Sequence, residues 1–399
     1  MKKILVVTTK FPFPIKGASE SERAYGLKQL LSLGFEVKLI TKIPLDKIIN
    51  IESIKKELGI DIFPISYRFN KSFFSKFKKY LVVLFTNWGL FDGAALEYSD
   101  PKLIYRFKKI LVDWQPNIVW FDTSFMWYLI RFINRKKVKV IVRSQAFEAS
   151  HFLEEEGMSF KNFIIYLAKF HSEKKSAKLS DLVLSITPEE EKIYKKLGAK
   201  KVINLPLRSL PYLLKSEKII KKDFPLNIFF AGSTYGVKHN KKALNFLLTE
   251  IIPNINKQVK NKFIFNIFGR KFPKEYKKYL VDNVKYHGFV DNYESIIEKM
   301  DIALIPVLAG RGMQQKIFEP LVRGIPTITS ARGLAGYSFK NNKEILYANT
   351  KEEFIYNLIS LQDFNLRFRL SKASLNLSKN LFSKKIINKT ILNIIKFLD

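Results

Sequence analysis

Apolar residues along this chain fall into two alternating kinds of run. Short unbroken runs at residues 3–8, 35–41, 117–121, 138–142 and 181–186 are bounded by turn residues, and predict parallel strands buried on both faces. Between them, residues 51–58, 125–132 and 159–180 read as helices, and residues 61–64 as a further short strand. A helix is expected from Ser19, its N-cap, with Glu22 at the third position, to about Ser32, with Gly34 as its stop. Thr187-Pro188 opens another with a cap and a proline at its first position. The alternation resumes with strands at 226–231, 262–268, 284–287, 301–306 and 327–329 and helices at 241–248 and 313–322. From Asn365 onward the chain reads as helical. The strand at 181–186 is the last expected in the first half, and the proline-containing, basic stretch up to Pro225 shows no period, which makes it a linker.

Composition adds limits. The 399 residues suffice for two domains, and 47% hydrophobic with 26% charged residues is a globular balance. No cysteine is present, so disulfides and thiolate metal sites are excluded, and four scattered histidines give no metal-ligand spacing. No apolar run approaches the roughly 18 residues that span a bilayer, and the first strand ends at prolines without a cleavage site, so a cytoplasmic location is expected. The net charge of +33 has two readings: attraction to an anionic surface, or a Lys, Ile, Asn and Phe bias of an AT-rich genome. No nucleic-acid-binding motif accompanies it, so no nucleic-acid partner is expected.

Candidate chemistry concentrates between Ile305 and Tyr337. Gly310-Arg311-Gly312 separates a strand from a helix whose buried face is Ile317, Phe318, Leu321 and Val322, and Gly324-Ile325-Pro326 stops that helix before the next strand. Such a unit sets a helix N-terminus at the carboxyl end of a parallel strand, where free N–H groups suit an anion and glycines let a phosphate approach. Arg311 as a fork and Lys316 as a point charge flank that place, and Glu319 lies further in, where an acidic side chain suits ribose hydroxyls. The same spacing also describes an ordinary strand-helix-strand unit with solvated basic residues and a helix ion pair.

These residues resemble the donor-binding motif of family 4 glycosyltransferases, roughly G-x-G-x-x-x-K-x-x-E followed by G-x-P, with Gly310, Gly312, Lys316, Glu319, Gly324 and Pro326 in its places. The resemblance implies that Arg311 and Lys316 carry catalysis by stabilising the leaving diphosphate, that Glu319 holds the donor ribose, and that Gly310, Gly312 and Met313 line the donor. Many members place a glutamate on the donor sugar where Arg311 stands. Gly232, Ser233 and Asn240 are similar to the family's F-x-G-S-x-x-x-x-x-N, which implies contact with donor phosphate or sugar. Gly269, and Phe289 with Val290 after Gly288, hold places that frame the nucleobase through backbone groups, although both glycines also read as plain strand-end turns. On the acceptor side, Gly17 and Ala18 match a small-residue loop, and Arg143 and Glu148 match R-x-H-N-x-E, with Gln145 and Ala146 replacing its histidine and asparagine.

The resemblance covers nearly the whole chain and implies an α/β architecture of GT-B type: two doubly wound Rossmann-like domains facing a cleft. Their expected bounds are residues 1–208 and 226–369, with a linker at 209–225 and a C-terminal helix of about 370–399 returning to the first domain. The implied reaction is retaining transfer of a sugar from a nucleotide diphosphate sugar to a hydroxyl of a glycan or lipid-linked acceptor, in surface polysaccharide or glycolipid synthesis. No metal or other cofactor is implied, since basic side chains neutralise the diphosphate. The alternative is a catalytically silent relative that binds nucleotide sugar or scaffolds a glycosylation complex; a phosphorylase of the same fold would need a pyridoxal phosphate lysine. Residues 67–91 interleave aromatics with Lys71, Lys76, Lys78 and Lys79, which suits an interfacial helix on an anionic inner leaflet or equally a core helix with a basic outer face.

Overall fold

The structure is a computed structural model and describes residues 1–15, 17–44, 51–69, 92–215, 219–290, 293–308 and 313–398. It separates into two compact units, Met1–Ser209 with Ile387–Asp399, and Leu210–Ile386. Among the described residues no helix is long and apolar enough to cross a membrane. Residues 70–91, most of the basic aromatic stretch, lie outside the described residues.

Unit one is built on a parallel sheet of β1 (Lys3–Thr8), β2 (Glu36–Ile43), β3 (Asp61–Ser66), β4 (Ile118–Phe121), β5 (Lys139–Arg143), β6 (Leu182–Ser185) and β7 (Val202–Asn204), in the order β3-β2-β1-β4-β5-β6-β7. The unbroken apolar runs follow from burial on both faces: Ile4, Val6, Ile118 and Trp120 face one core, Leu5, Val7, Val119 and Phe121 the other. Ile387, Ile391, Ile394 and Ile395 of the helix Lys384–Phe397 complete the first core. Each such burial contributes about 1.5–3 kcal/mol. The preceding helix, Phe364–Phe382, lies in unit two, so the segment returning to unit one is shorter than the stretch from residue 370 that the resemblance implied.

Local chemistry sets several helix ends. Ser159 caps Phe160–Leu179 by accepting from the Asn162 N–H, and Thr187 caps Pro188–Lys196 by accepting from the Glu190 N–H. Gly34, at φ +82°, closes the helix Ala18–Ser32, with Gly34 N–H on Leu31 O and Phe35 N–H on Leu30 O. Three expectations are corrected. That first helix is capped by Gly17 without a side-chain bond, and Ser19 lies within its first turn, where its carbonyl, at 2.9 Å, and its hydroxyl accept from Arg23. Residues 125–132 form a 3-10 turn, Ser124–Met126, and one helical turn, Trp127–Ile130, closed by three-residue bonds from Phe132 and Ile133. The strand at 181–186 is followed by one more, β7, at the sheet edge.

Unit two carries β8 (Leu226–Thr234), β9 (Phe263–Arg270), β10 (Val284–Gly288), β11 (Ile302–Ile305), β12 (Thr327–Thr329) and β13 (Leu346–Tyr347), all parallel, in the order β10-β9-β8-β11-β12-β13. The stretch expected as linker contains a short helix, Leu210–Leu213, that belongs to this unit. The helix after β8 is Lys238–Phe246, three residues earlier than expected, and runs through a π turn, Leu247–Ile251, into Ile252–Gln258. Pro253 has no N–H for the regular ladder, and the wider turn accommodates it. Strand order reverses direction between β1 and β4 in one sheet and between β8 and β11 in the other. In open parallel sheets ligands bind outside the carboxyl ends of the strands at such points.

Candidate functional site

The carboxyl edge of the second sheet gathers residues from three separate motifs. Gly232 ends the straight part of β8, and the strand shifts register before Thr234 pairs with Arg270. Asn240, in the first turn of the next helix, is buried and donates from Nδ2 to Thr234 O at 3.1 Å. Its Oδ1 accepts from Lys316 Nζ at 3.2 Å, across 76 residues of sequence. Lys316 is half-buried at the start of the helix Gln315–Leu321, and burial brings its ammonium down to about 8. A cation already stripped of water beside a backbone-lined edge is electrostatically prepared for an anion.

The helix here is shorter than the 313–322 expected from periodicity, since Met313 and Gln314 stay outside it and Pro320 sits within its last turn. A seven-residue helix offers little dipole, so the charge at this edge belongs to side chains and loop backbone. Met313 is buried beneath. Glu319 is half-buried, and its charge acts on the Tyr337 hydroxyl, which burial chiefly and Glu319 secondarily push well above its usual value. Tyr337 stacks on Phe318 at 5.8 Å and donates to Gln314 O at 3.0 Å, which ties the loop after β12 to the start of the helix. Gly310, Arg311 and Gly312 lie outside the described residues.

Gly269 meets Gly232 backbone to backbone: its φ is +143°, and a Cβ there would lie 2.1 Å from Gly232 O. Tyr235, which sequence reasoning missed, locks this crossing through its hydroxyl on Phe268 O at 2.7 Å and its N–H on Arg270 O at 2.8 Å. Ser233 is exposed on the same edge, Phe289 is half exposed with the Arg270 guanidinium 3.7 Å above its ring, and Val290 is half-buried beside it. Among the described residues no cluster of three or more His, Asp or Glu could hold a metal ion.

On the first sheet, Gly17 and Ala18 are exposed where the helix leaves the carboxyl end of β1. Arg143 is not at the surface. It is fully buried, donating to Ser185 O at 3.1 Å, Pro206 O at 3.0 Å, Leu205 O, and Glu22 Oε1 at 3.2 Å, so it holds structure together instead of facing an acceptor. Glu22 also takes Arg208 Nε at 2.9 Å, and Arg208 reaches Asp122 Oδ1 at 3.3 Å. Glu148 stays at the edge, half-buried at the first position of Glu148–Glu156, and burial raises its carboxyl above the usual range.

Residues 225–363 match the family profile described as Glycosyl transferases group 1. No curated protein sequence matches the chain. Among solved structures, sucrose-phosphate synthase from Thermosynechococcus elongatus aligns with a TM-score of 0.69 at 13% identity, covering 100% of this chain and 99% of that one. TarM aligns at 0.70 and 11% identity over 98% of both chains, and Anabaena HepE, solved in complex with UDP, at 0.66 and 10% over 99% and 100%. Residues 225–363 thus resemble a group 1 glycosyl transferase domain, and the chain has a GT-B fold.

Proposed function

We propose that the protein is a glycosyltransferase of the family 4 kind, moving a sugar with retention from a nucleotide diphosphate sugar to a hydroxyl of a glycan or lipid-linked acceptor. The observation that carries the reading is the meeting of Lys316, Asn240 and the Gly232–Thr234 turn at the switch point of the second sheet. A diphosphate there would replace Asn240 as the partner of a poorly hydrated ammonium, and the attraction grows as charge develops on the leaving group. Arg311 adds the second positive charge in this reading and Glu319 holds the ribose, so no metal or other cofactor is required. HepE, a structural neighbour, is solved in complex with UDP, which supports a nucleotide as ligand. Cytoplasmic action beside an anionic leaflet belongs to the same proposal.

Lys316→Ala is expected to lower turnover by about 10²-fold, the usual size for removing one preorganised charge partner. Activity insensitive to the change, in a variant that still folds, would sink the assignment. EDTA should leave the wild-type rate intact. Since the reaction partners are unidentified, the first measurement is thermal stabilisation by UDP, GDP and ADP, where a ligand at 100 times its Kd adds about 2.7 kcal/mol.

The lowered Lys316 value makes a second prediction. The free protein loses this proton through a value of about 8, while a bound diphosphate favours the charged form and raises it. Nucleotide affinity should therefore hold between pH 7 and 8 and then fall about tenfold per pH unit until the higher value of the complex is reached. Lys316→Arg, charged throughout, should flatten that fall. A flat wild-type profile up to pH 10 would show that Lys316 does not meet the nucleotide.

A further inference from the structure

We propose that Glu173, Tyr194, Ser144 and Glu190 form a buried hydrogen-bonded relay that holds one carboxyl proton, and that this proton sets the position of the loop 144–148 after β5. Glu173 is thereby a positioning residue that touches no substrate. The inference rests on the glycosyltransferase reading only where it concerns turnover.

Three elements supply the four side chains. Glu173 lies on the helix Phe160–Leu179, Glu190 and Tyr194 stand one turn apart on Pro188–Lys196, and Ser144 directly follows β5. All four are buried, Glu173 and Tyr194 completely. Tyr194 Oη is 2.5 Å from Glu173 Oε2 and 3.1 Å from Ser144 Oγ, and Ser144 Oγ is 3.2 Å from Glu190 Oε2. Three contacts join four groups, but the two hydroxyls bring only two hydrogens. The third comes from a carboxyl. Burial raises both, yet Glu190 accepts the Phe147 N–H at 3.2 Å and the Ile186 N–H at 3.3 Å and has Arg143 acting on it, which favours its charged form. Glu173 accepts the Glu148 N–H at 2.9 Å, is hydrogen-bonded by Ser124, and faces the like charge of Glu148; burial pushes it up to about 8. With the proton on Glu173 the bonds run one way: Glu173 donates to Tyr194, Tyr194 to Ser144, and Ser144 to the Glu190 carboxylate, a stronger acceptor than Ala146 O, also at 3.2 Å.

The relay grips the loop at three points: the Ser144 hydroxyl, the Phe147 N–H on Glu190 and the Glu148 N–H on Glu173. Ionisation of Glu173 would turn the Tyr194 hydrogen toward Glu173, take it from Ser144, and set a second negative charge beside Glu148. Tyr194 itself keeps its proton, since burial first and Glu173 second push its hydroxyl well above its usual value. On Glu148, Lys169, His151 and Arg23 act from the positive side and Asp92, paired with Lys169 at 3.3 Å, from the negative side. Glu148 is half-buried and Glu173 fully buried, so of the two carboxylates only Glu148 has solvent to move toward. The loop therefore loosens at Glu148 when the relay loses its proton.

Glu173→Gln in the full chain tests this, because glutamine keeps an acceptor for the Glu148 N–H and a permanent donor for Tyr194. The folded value of Glu173 lies above the ordinary 4.5, so the stability its proton gives is complete below about pH 4.5 and is lost as pH rises to about 8. Relative to Glu173→Gln, the folding equilibrium constant of the wild type should fall about tenfold per pH unit from pH 5 to 8 and then stay level. Hydrogen exchange of residues 144–148 should be alike in the two proteins at pH 6.5 and about tenfold faster in the wild type at pH 9, one unit above the Glu173 value. Parallel stability profiles with equal exchange, the result for an ordinary buried contact, would overturn the proposal. Should Glu173→Gln not fold, the carboxylic-acid C=O stretch of the wild type decides: it should vanish through about pH 8 and shift in Tyr194→Phe, and its absence at pH 6.5 or its indifference to Tyr194→Phe overturns the relay. At saturating nucleotide the alkaline limit of turnover should rise in Glu173→Gln with nucleotide affinity unchanged; an unmoved limit overturns the positioning role. Stabilisation by UDP, GDP and ADP is read separately: nucleotide binding with flat relay profiles removes only this inference, while a responsive relay without any nucleotide response removes the transferase reading.

Discussion

Replacing Glu22 with alanine should destabilise the full chain by about 3–5 kcal/mol, the usual cost of removing one partner from a buried ion pair. Glu22 is fully buried and receives both Arg143 Nη2 at 3.2 Å and Arg208 Nε at 2.9 Å. With Asp122 on the far side of Arg208, two guanidinium groups balance two carboxylates in a space closed to water. Burial chiefly, with the charge of Arg208 behind it, pushes the Arg143 guanidinium down, and Glu22 pulls it back most strongly. Without Glu22 the two cations share one carboxylate and repel each other through a low dielectric. The alanine also opens a cavity beside Arg208, whose guanidinium lies 5.1 Å from the Trp120 ring centroid. Urea unfolding should show a midpoint lowered in proportion, with the slope unchanged. Glu22→Gln keeps the volume and two polar atoms and should cost less than the alanine. A shift below about 1 kcal/mol for Glu22→Ala would mean that the arginines find water or another acceptor.

The same cluster shows where sequence reasoning stops. Glu22 looks like part of a local capping pattern, and Arg143 sits in a family motif on the acceptor side. What decides both is a contact 121 residues apart, and nothing in either neighbourhood announces it. Gly26 belongs to the same arrangement: a Cβ there would fall 2.2 Å from Arg208 Cζ, so the helix needs glycine for a partner far along the chain. Features with a local cause were legible. Ser159 and Thr187 mark helix starts because their hydroxyls bond to N–H groups three residues on. The helix Ile51–Leu58 and strand Thr327–Thr329 were read to the residue, since periodicity and flanking turns agree there. The strand Val202–Asn204 is three residues long, too short for a period to be seen. In the candidate site, Gly232 and Asn240 were chosen through family resemblance and Lys316 already from its place at a helix start, and only the fold brings Asn240 within bonding distance of Lys316. Tyr235 carried no signal, because a tyrosine inside a glycine loop is ordinary until its hydroxyl is seen on Phe268 O.

Gly269→Ala should remove most nucleotide binding and lower stability together. Two costs add at this residue. Its φ of +143° is a conformation that side-chain-bearing residues rarely adopt, worth about 1–3 kcal/mol. A methyl group there would also stand 2.1 Å from Gly232 O and 3.0 Å from Tyr235 Cε2, and overpacking of this kind costs about 1–3 kcal/mol more. Relief by backbone movement is opposed on three sides, by Tyr235 N–H on Arg270 O, Tyr235 hydroxyl on Phe268 O, and Tyr286 hydroxyl on Gly269 O at 2.6 Å. The atom that must give way is the carbonyl of Gly232, and Gly232 packs against Asn240, the residue that holds Lys316. Strain therefore passes from the end of β9 to the ammonium proposed to meet the diphosphate. Gly34→Ala is the control. Its φ is +82°, yet nothing lies within 4 Å of the added Cβ, so it should cost about 1 kcal/mol and leave nucleotide affinity alone. Unfolding midpoints and nucleotide thermal shifts of the two variants, measured side by side, decide the matter: equal effects would mean that only backbone conformation counts at Gly269, and that the approach to Gly232 has no part in shaping the site.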